Sequence, residues 1–346
     1  KLEEMAEKLS QETMAMEEAL LKNLKLTKKL GYPHKIKKTL PNLVNYKREN
    51  NVRLMRFDFH PTTNGWNISE VNSDVPGGFA EASILPELAA RYFPECQTRI
   101  HFGNTLFSAF QKKIVPSGTV AMVHATSYTD DRQELQYISD YFNEHNLKTI
   151  FAAPDHLKWV NHKPVSIINN ENIPIDGIFR FFPLEWLCNL PRKTKWQGYY
   201  DCQVPSCNHP IAIFAQSKRL PLIWEQLRVN IPTWKQLLPP TIDPKMVKVT
   251  PGDWIYKPAL GRVGEGISIK SAISEKELKK IEKAAHKEPK NWVAQQMFYS
   301  KPITASDNQT FHLCIGVFTV DGKRAGFYGR ISPYARIDAN AKDIPI

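Results

Sequence analysis

Several scarcities in the chain bound what it can be. Cysteine occurs five times in 346 residues. That odd, sparse count argues against a disulfide framework and for a reducing, cytoplasmic setting. No apolar run approaches the ~18 residues of a membrane span. The longest, Phe311 to Val320, is strand-sized, so no membrane role is expected. No Gly-Lys-Ser/Thr closes a glycine-rich loop, which rules out a Walker A phosphate site, and no Gly-x-Ser-x-Gly elbow marks a serine hydrolase. Cys202, Cys207 and His209 are near one another, but three donors at that spacing make a poor zinc site. Acidic residues are missing from Lys22 to Arg48, a stretch with nine Lys/Arg. It reads as a polyanion-binding patch or as a solvated helix end followed by a loop.

What the chain does contain is a core. Hydrophobic residues at 42% and aromatics at 11% exclude a disordered polymer. The length suits two or three domains or one large α/β body. The formal charge of +11 fits nucleic acid, anionic lipid, or an enzyme that handles phosphates and carboxylates. Apolar residues from Leu2 to Leu30 recur near the helical period and end at Gly31-Tyr32-Pro33. Strands are expected over 53–60 and 65–71, a helix over 80–92, and a strand–helix–strand unit over 119–124, 130–145 and 148–153. That unit predicts a parallel, doubly wound subdomain. Further strands are expected at 175–182, 254–257, 267–270 and 292–297, with helices at 217–228 and 274–286. Asp321-Gly322 between two β-rich runs predicts a closing hairpin.

Chemistry-bearing residues gather in a few places. In Arg56-Phe57-Asp58 and Glu70-Val71-Asn72 the period of two puts Arg56 with Asp58, and Glu70 with Asn72, on one strand face. If the strands pair, two carboxylates and an amide form a hard-oxygen set suited to magnesium, with an arginine beside them for a carboxylate or phosphoryl group. The same alternation also fits a solvated sheet face. Lys257 ends a strand before a loop holding Gly261, Arg262, Gly264 and Gly266, where backbone amides and an ammonium could meet phosphate oxygens. A plain hairpin turn explains the glycines equally well. Lys218 could add a second ammonium or be a surface lysine, Gln295 could read an adenine edge, and Arg330 ends the last hairpin.

The ordered segments RFDF…SEVNSDVP, IDGIFRFFPLEWL, SKRLPLIW, WIYKPALGRVGEGI, WVAQQM and GVFTVDGKRAGFYGRIS resemble the synthetase part of the glutathionylspermidine synthase family from about Arg53 to Ile346. The resemblance implies an α/β (α+β) ATP-grasp body over 51–346. A pre-ATP-grasp-like parallel-sheet subdomain would be inserted at about 117–182, and a nucleotide-binding part would span about 211–346. Residues 1–50 are expected as a helical N-terminal extension. It also implies ATP-driven joining of a peptide- or glutathione-like carboxylate to an amine through an acylphosphate. Asp58, Glu70 and Asn72 would hold magnesium, while Arg56 and Arg330 would act at the reaction centre. Lys218 and Lys257 would hold ATP phosphates, the loop through Gly261, Arg262 and Gly264 would cover them, and Gln295 would lie near the adenine. The Ser73–Phe79 segment departs from the family pattern where glutathione would sit, and only scattered acids (Asp74, Glu81, Glu185) are visible for a polyamine. A nucleotide-binding protein that does not ligate is the alternative, and no nucleic-acid partner is expected. On this reading Asp58→Asn abolishes magnesium-dependent turnover, measured as phosphate release, and leaves the fold intact.

Overall fold

The computed structural model describes residues 1–95, 101–262, 264 and 266–346. Helix α1 (Leu2–Lys22) opens the chain with Glu3 and Glu4 in its first turn, where carboxylates favour the helix dipole. It is shorter than the periodicity predicts: Asn23 leaves the helical region at φ −138°, and Leu24–Lys29 continues as a 3-10 helix. Then come β1 (Leu54–Thr62), β2 (Gly65–Asn72), α2 (Phe79–Ala90), α3 (Phe102–Gln111), β3 (Thr119–His124), α4 (Thr129–Glu144), β4 (Lys148–Ala152) and β5 (Gly177–Phe181). The chain continues through the single-turn α5 (Leu184–Leu187), β6 (Ser206–Cys207), β7 (Thr241–Ile242), β8 (Trp254–Pro258), α6 (Glu275–Lys287) and β9 (Trp292–Gln296). It closes with β10 (Thr310–Val320), β11 (Lys323–Ser332) and β12 (Lys342–Ile344).

Among the described residues the strands form four sheets, three of which frame one cleft; the fourth pairs Leu157–Val160, Lys163–Ser166 and Ile173–Pro174. The largest is antiparallel in the order β12-β11-β10-β1-β2, with β1 near its centre. The second, β4-β3-β5-β6, is parallel throughout, so the strand–helix–strand unit reads as expected. The third is β7-β9-β8. Asp321 and Gly322 both have positive φ, 49° and 82°, the turn geometry that matches strand twist between β10 and β11.

Two expectations fail locally. Ile267–Lys270 forms no strand. Only Ser268 meets β8, through its N–H to the Tyr256 carbonyl and its hydroxyl to the Tyr256 N–H. Gly266 at φ 67° and the 3-10 turn at Lys270–Ala272 leave too short an extended run between them. Residues 217–228 are not one helix either. Pro221 lacks an N–H and clashes with a preceding turn, so the segment splits into a 3-10 turn (Leu220–Ile223) and a short helix (Trp224–Leu227).

The N-terminal segment is integral to the core. Leu9, Met16 and Leu20 of α1, with Tyr32, Ile36, Leu40 and Leu43, pack in one apolar cluster with Phe57, Ile213 and Trp234. The same segment carries the basic run, whose lysines stay outside: Lys22, Lys25, Lys28, Lys29, Lys35, Lys38 and Lys47 are exposed. Lys29 reaches Gln226 and Lys35 the Cys188 carbonyl, so most of the run is a solvated face. A buried ion pair also ties the segment to the sheet. Glu17 and Arg53, each 2% exposed, form a two-armed pair whose guanidinium also donates to the carbonyls of Leu54 and Ser73 and to Asn208. Removing one partner of such a pair strands a buried charge, so Glu17→Ala should lower unfolding free energy by about 3–5 kcal/mol. Chemical denaturation checks this, and a loss under about 1 kcal/mol counts against α1 being locked by charge.

Candidate functional site

The β1–β2 hairpin sets the site. Its register opposes Arg56 to Asn72 and Asp58 to Glu70, so all four polar groups share one face. Phe57 pairs with Val71 on the opposite, apolar face. The face is not solvated: Arg56 is 7% and Asp58 2% exposed. Asp58 accepts from Arg56 Nε at 2.8 Å and Nη2 at 3.1 Å, from Asn72 Nδ2 at 3.1 Å, and from Arg330 Nη2 of β11 at 3.2 Å. Burial alone would raise the Asp58 pKa, but the two guanidinium groups outweigh it and hold the carboxyl below its usual range. Across the sheet, Gly316 leaves room for Arg56. A Cβ there would lie 2.7 Å from the arginine Cδ.

The second group lies behind Glu70. Lys218 Nζ is 2.9 Å from Glu70 Oε2 and donates to the Gly261 carbonyl at 2.6 Å. Burial would push Glu70 up, yet the Lys218 ammonium prevails and lowers it. Lys257 is buried and donates to Gln295 Oε1 at 2.7 Å and to the Ser69 carbonyl at 3.1 Å. Desolvation lowers its pKa to about 8, Glu70 opposing the shift and Lys218 adding to it. Gln295 spends its other end on Thr241 at 3.0 Å, so both ends of its amide are engaged in orienting Lys257 and β7.

Nine of the expected residues, Arg56, Asp58, Glu70, Asn72, Lys257, Gly261, Arg262, Gly264 and Arg330, line one cleft of about 1240 Å³. That exceeds the ~300–1,000 Å³ typical of a pocket for one small ligand. Lys218 and Gln295 do not reach it. They line a pocket of about 30 Å³ that shares Ser69, Glu70 and Lys257 with the cleft.

The cleft also has acidic residues, of which the sequence pointed only to Glu185. Asp130, Asp131 and Glu134 of α4 and Glu185 of α5 line it together with Tyr128 and Trp186. These elements follow the carboxyl ends of β3 and β5, where ligands enter open parallel sheets. Asp130-Asp131 read in the sequence as a helix start, which they also are, and nothing local tied them to Glu185. Burial raises Asp131 to about 6, Arg262 partly opposing it. Burial, with Glu81 nearby, raises Glu134 to about 7. Glu185 is raised by burial as well. Its Oε1 accepts two bonds from Arg262 at 2.9 and 3.0 Å, while its buried Oε2 has no partner. Arg262 also pairs with Asp74, which Arg180 holds from behind.

Among the described residues no group of three His, Cys, Asp or Glu side chains is arranged for a metal. The Asp58–Glu70–Asn72 set is two carboxylates and an amide. Its chemistry still fits magnesium: hard oxygens, with Asp58 and Glu70 directly opposed and repelling, a repulsion that a divalent cation relieves. In the structure arginine and lysine supply that compensation, so Asp58→Asn removes the counter-charge of two buried guanidinium groups. The variant should therefore lose stability as well as turnover, which corrects the expectation of an unaffected fold.

A sequence profile described as the glutathionylspermidine synthase pre-ATP-grasp family matches residues 1–342, which takes in α1. Among solved structures, a glutathione synthetase-like effector (GSS30) from Globodera pallida, in its apo form, superposes with a TM-score of 0.68 at 12% identity, over 99% of this chain and 86% of that one. A putative gamma-glutamylcysteine synthetase from Methylobacillus flagellatus KT gives 0.52 at 13% identity, over 97% and 87%. At that identity the likeness is one of fold, a mixed α/β architecture of the ATP-grasp kind. No curated protein sequence matches the chain. No helix among the described residues is long and apolar enough to cross a membrane.

The buried lysine gives a pH test. A protonated Lys257 attracts phosphate and a neutral one does not, so affinity for a non-hydrolysable ATP analogue should fall as pH rises through about 8. The fall should approach tenfold per pH unit if this one proton governs binding. Lys257→Met should bind weakly throughout and lose the slope, as read by calorimetry. An unchanged slope would remove Lys257 from the phosphate site.

Proposed function

The chain belongs to the glutathionylspermidine synthase pre-ATP-grasp family, and from that premise we propose that it is an ATP-dependent ligase joining a small-molecule carboxylate to a cationic amine through an acylphosphate. One observation carries the reading: one cleft holds both kinds of charged group that the two substrates need. Arg56, Arg330 and Lys257 line it, with Lys218 behind Glu70, and so do Asp130, Asp131 and Glu185, the last two of which share Arg262. A triphosphate suits the first group and an ammonium chain the second. Tyr128 and Trp186 offer aromatic faces to that cation.

The chemistry asks for both groups. A carboxylate is a poor acyl donor until phosphorylation gives it a leaving group, and that transfer gathers negative charge which needs fixed cations around it. Arg56 and Arg330, already aimed at Asp58, have guanidinium groups within reach of such charge. Lys257 would hold phosphate oxygens, and Lys218, which stays behind the cleft, would steady Glu70 and the Gly261 carbonyl. Asp58, Glu70 and Asn72 would hold magnesium, which when bound bridges and neutralises phosphate oxygens. Arg262, tied to Glu185 and Asp74, would hold the loop after β8 against those carboxylates and so keep water from the acyl intermediate. Glu185 has one free carboxylate oxygen for an incoming ammonium. The neutral amine that attacks must first shed a proton, and Asp131, with its pKa raised to about 6, is suited to receive it.

The test is phosphate release from magnesium ATP across a panel of carboxylates and amines. Release should require one of each and be fastest with di- and polyamines. Asp131→Asn should raise the amine KM about tenfold and leave the ATP KM within about twofold. Binding of ATP without release across the whole panel would instead favour a non-catalytic nucleotide-binding protein.

A further inference from the structure

Arg56 is held by more than Asp58. Its remaining arm, Nη1, donates to the Gly77 carbonyl at 2.6 Å. That carbonyl belongs to a turn with little freedom of its own. Gly78 sits at φ 97°, and a Cβ there would lie 2.9 Å from the Tyr328 ring, the same ring that lies 4.8 Å beneath the Arg56 guanidinium. A Cβ on Gly77 would come within 3.2 Å of Glu134 Oε1. The turn is fixed from the opposite side of the cleft. Glu134, on α4, accepts the Gly78 N–H with one carboxylate oxygen and the Phe79 N–H, at 2.8 Å, with the other. These are the first free amides of α2, so the carboxylate is also favoured by the helix dipole.

The connection is continuous: Glu134 carboxylate, Gly78 and Phe79 amides, Gly77 carbonyl, Arg56 Nη1, and then Arg56 Nε and Nη2 on Asp58. The half-buried Glu134 has no cation of its own, and both its oxygens are committed to backbone. Its near neighbours in charge are Glu81 of α2 and Arg56 of β1. From this geometry we infer that Glu134 is a positioning residue: it clamps the Gly77–Phe79 turn across the cleft so that Arg56 is presented in one orientation at the reaction centre. The clamp joins the parallel sheet's helix to the antiparallel sheet's arginine. A guanidinium free to swing would lose the alignment on which transition-state stabilisation depends. Arg56's catalytic part in this rests on the ligase reading. Its orientation by Glu134 does not.

Glu134→Gln keeps size and one acceptor but cannot accept both amides. In the full chain, arginine side-chain N–H signals are recorded by NMR, with those of Arg56 identified by their loss in Arg56→Lys. Glu134→Gln should speed solvent exchange of the Arg56 N–H protons at least about tenfold. With any substrate pair the wild type turns over, it should lower kcat about tenfold or more and leave the ATP KM within about twofold. A residue of purely structural value would lower the melting temperature and leave Arg56 exchange and kcat unchanged, and that result overturns the inference. Absence of turnover in the wild type counts against the ligase reading alone, and the exchange measurement then decides Glu134 by itself. Should Glu134→Gln not fold, Glu134→Asp, which withdraws the carboxylate by one methylene, is read the same way.

Discussion

A guanidinium group buried on a central strand is the constraint from which the rest of this molecule is organised. Arg56 cannot stay charged under a sheet without a carboxylate, and Asp58, two residues on along the same face, is the nearest that strand geometry allows. One carboxylate then serves two arginines, because β11 brings Arg330 to the same oxygen that Asn72 reaches from β2. Gly316 exists to let the arginine stem lie flat, and the Tyr328 ring closes its face. Each element touching this centre thereby has a fixed position, which is what a site for moving charge requires.

The three sheets contribute unequal things to the cleft. The antiparallel sheet supplies compensated charge, cations and carboxylates already matched. The parallel sheet supplies excess carboxylates at its carboxyl ends, with Arg262 the cation paired to Glu185. The sheet of β7, β9 and β8 supplies Lys257 from its edge strand β8, where desolvation lowers the ammonium's pKa.

The N-terminal segment shows how one stretch can serve two ends. Its apolar residues insert into the main core, its lysines face solvent, and Glu17 reaches through to Arg53 at the start of β1. That buried pair sits immediately before the strand that carries Arg56 and Asp58. Stability of the first helix and the setting of the site are thus coupled through one strand. The positive run that colours the whole composition is the solvated back of a packing element.

Alternation along two short strands was enough to bring Arg56, Asp58, Glu70 and Asn72 to one face, because a period of two is a local property of extended chain. Helix and turn chemistry at Thr129–Glu144 and at Asp321-Gly322 was legible for the same reason. Two local readings failed where a competing contact intervened. Pro221 broke the pattern over 217–228, and a single serine contact stood in for a strand at 267–270. What no local pattern contained was the approach of Asp131 and Glu185 to the one arginine, Arg262, or the hold of Glu134 on the turn beside Arg56. Those pairings join residues more than fifty positions apart, and their geometry follows from how a parallel and an antiparallel sheet pack. By itself the sequence determined which side chains would share a strand face and therefore one charged group of the cleft. Only tertiary structure decided which further carboxylates would line the same cleft, because burial and long-range packing, not spacing, bring them there.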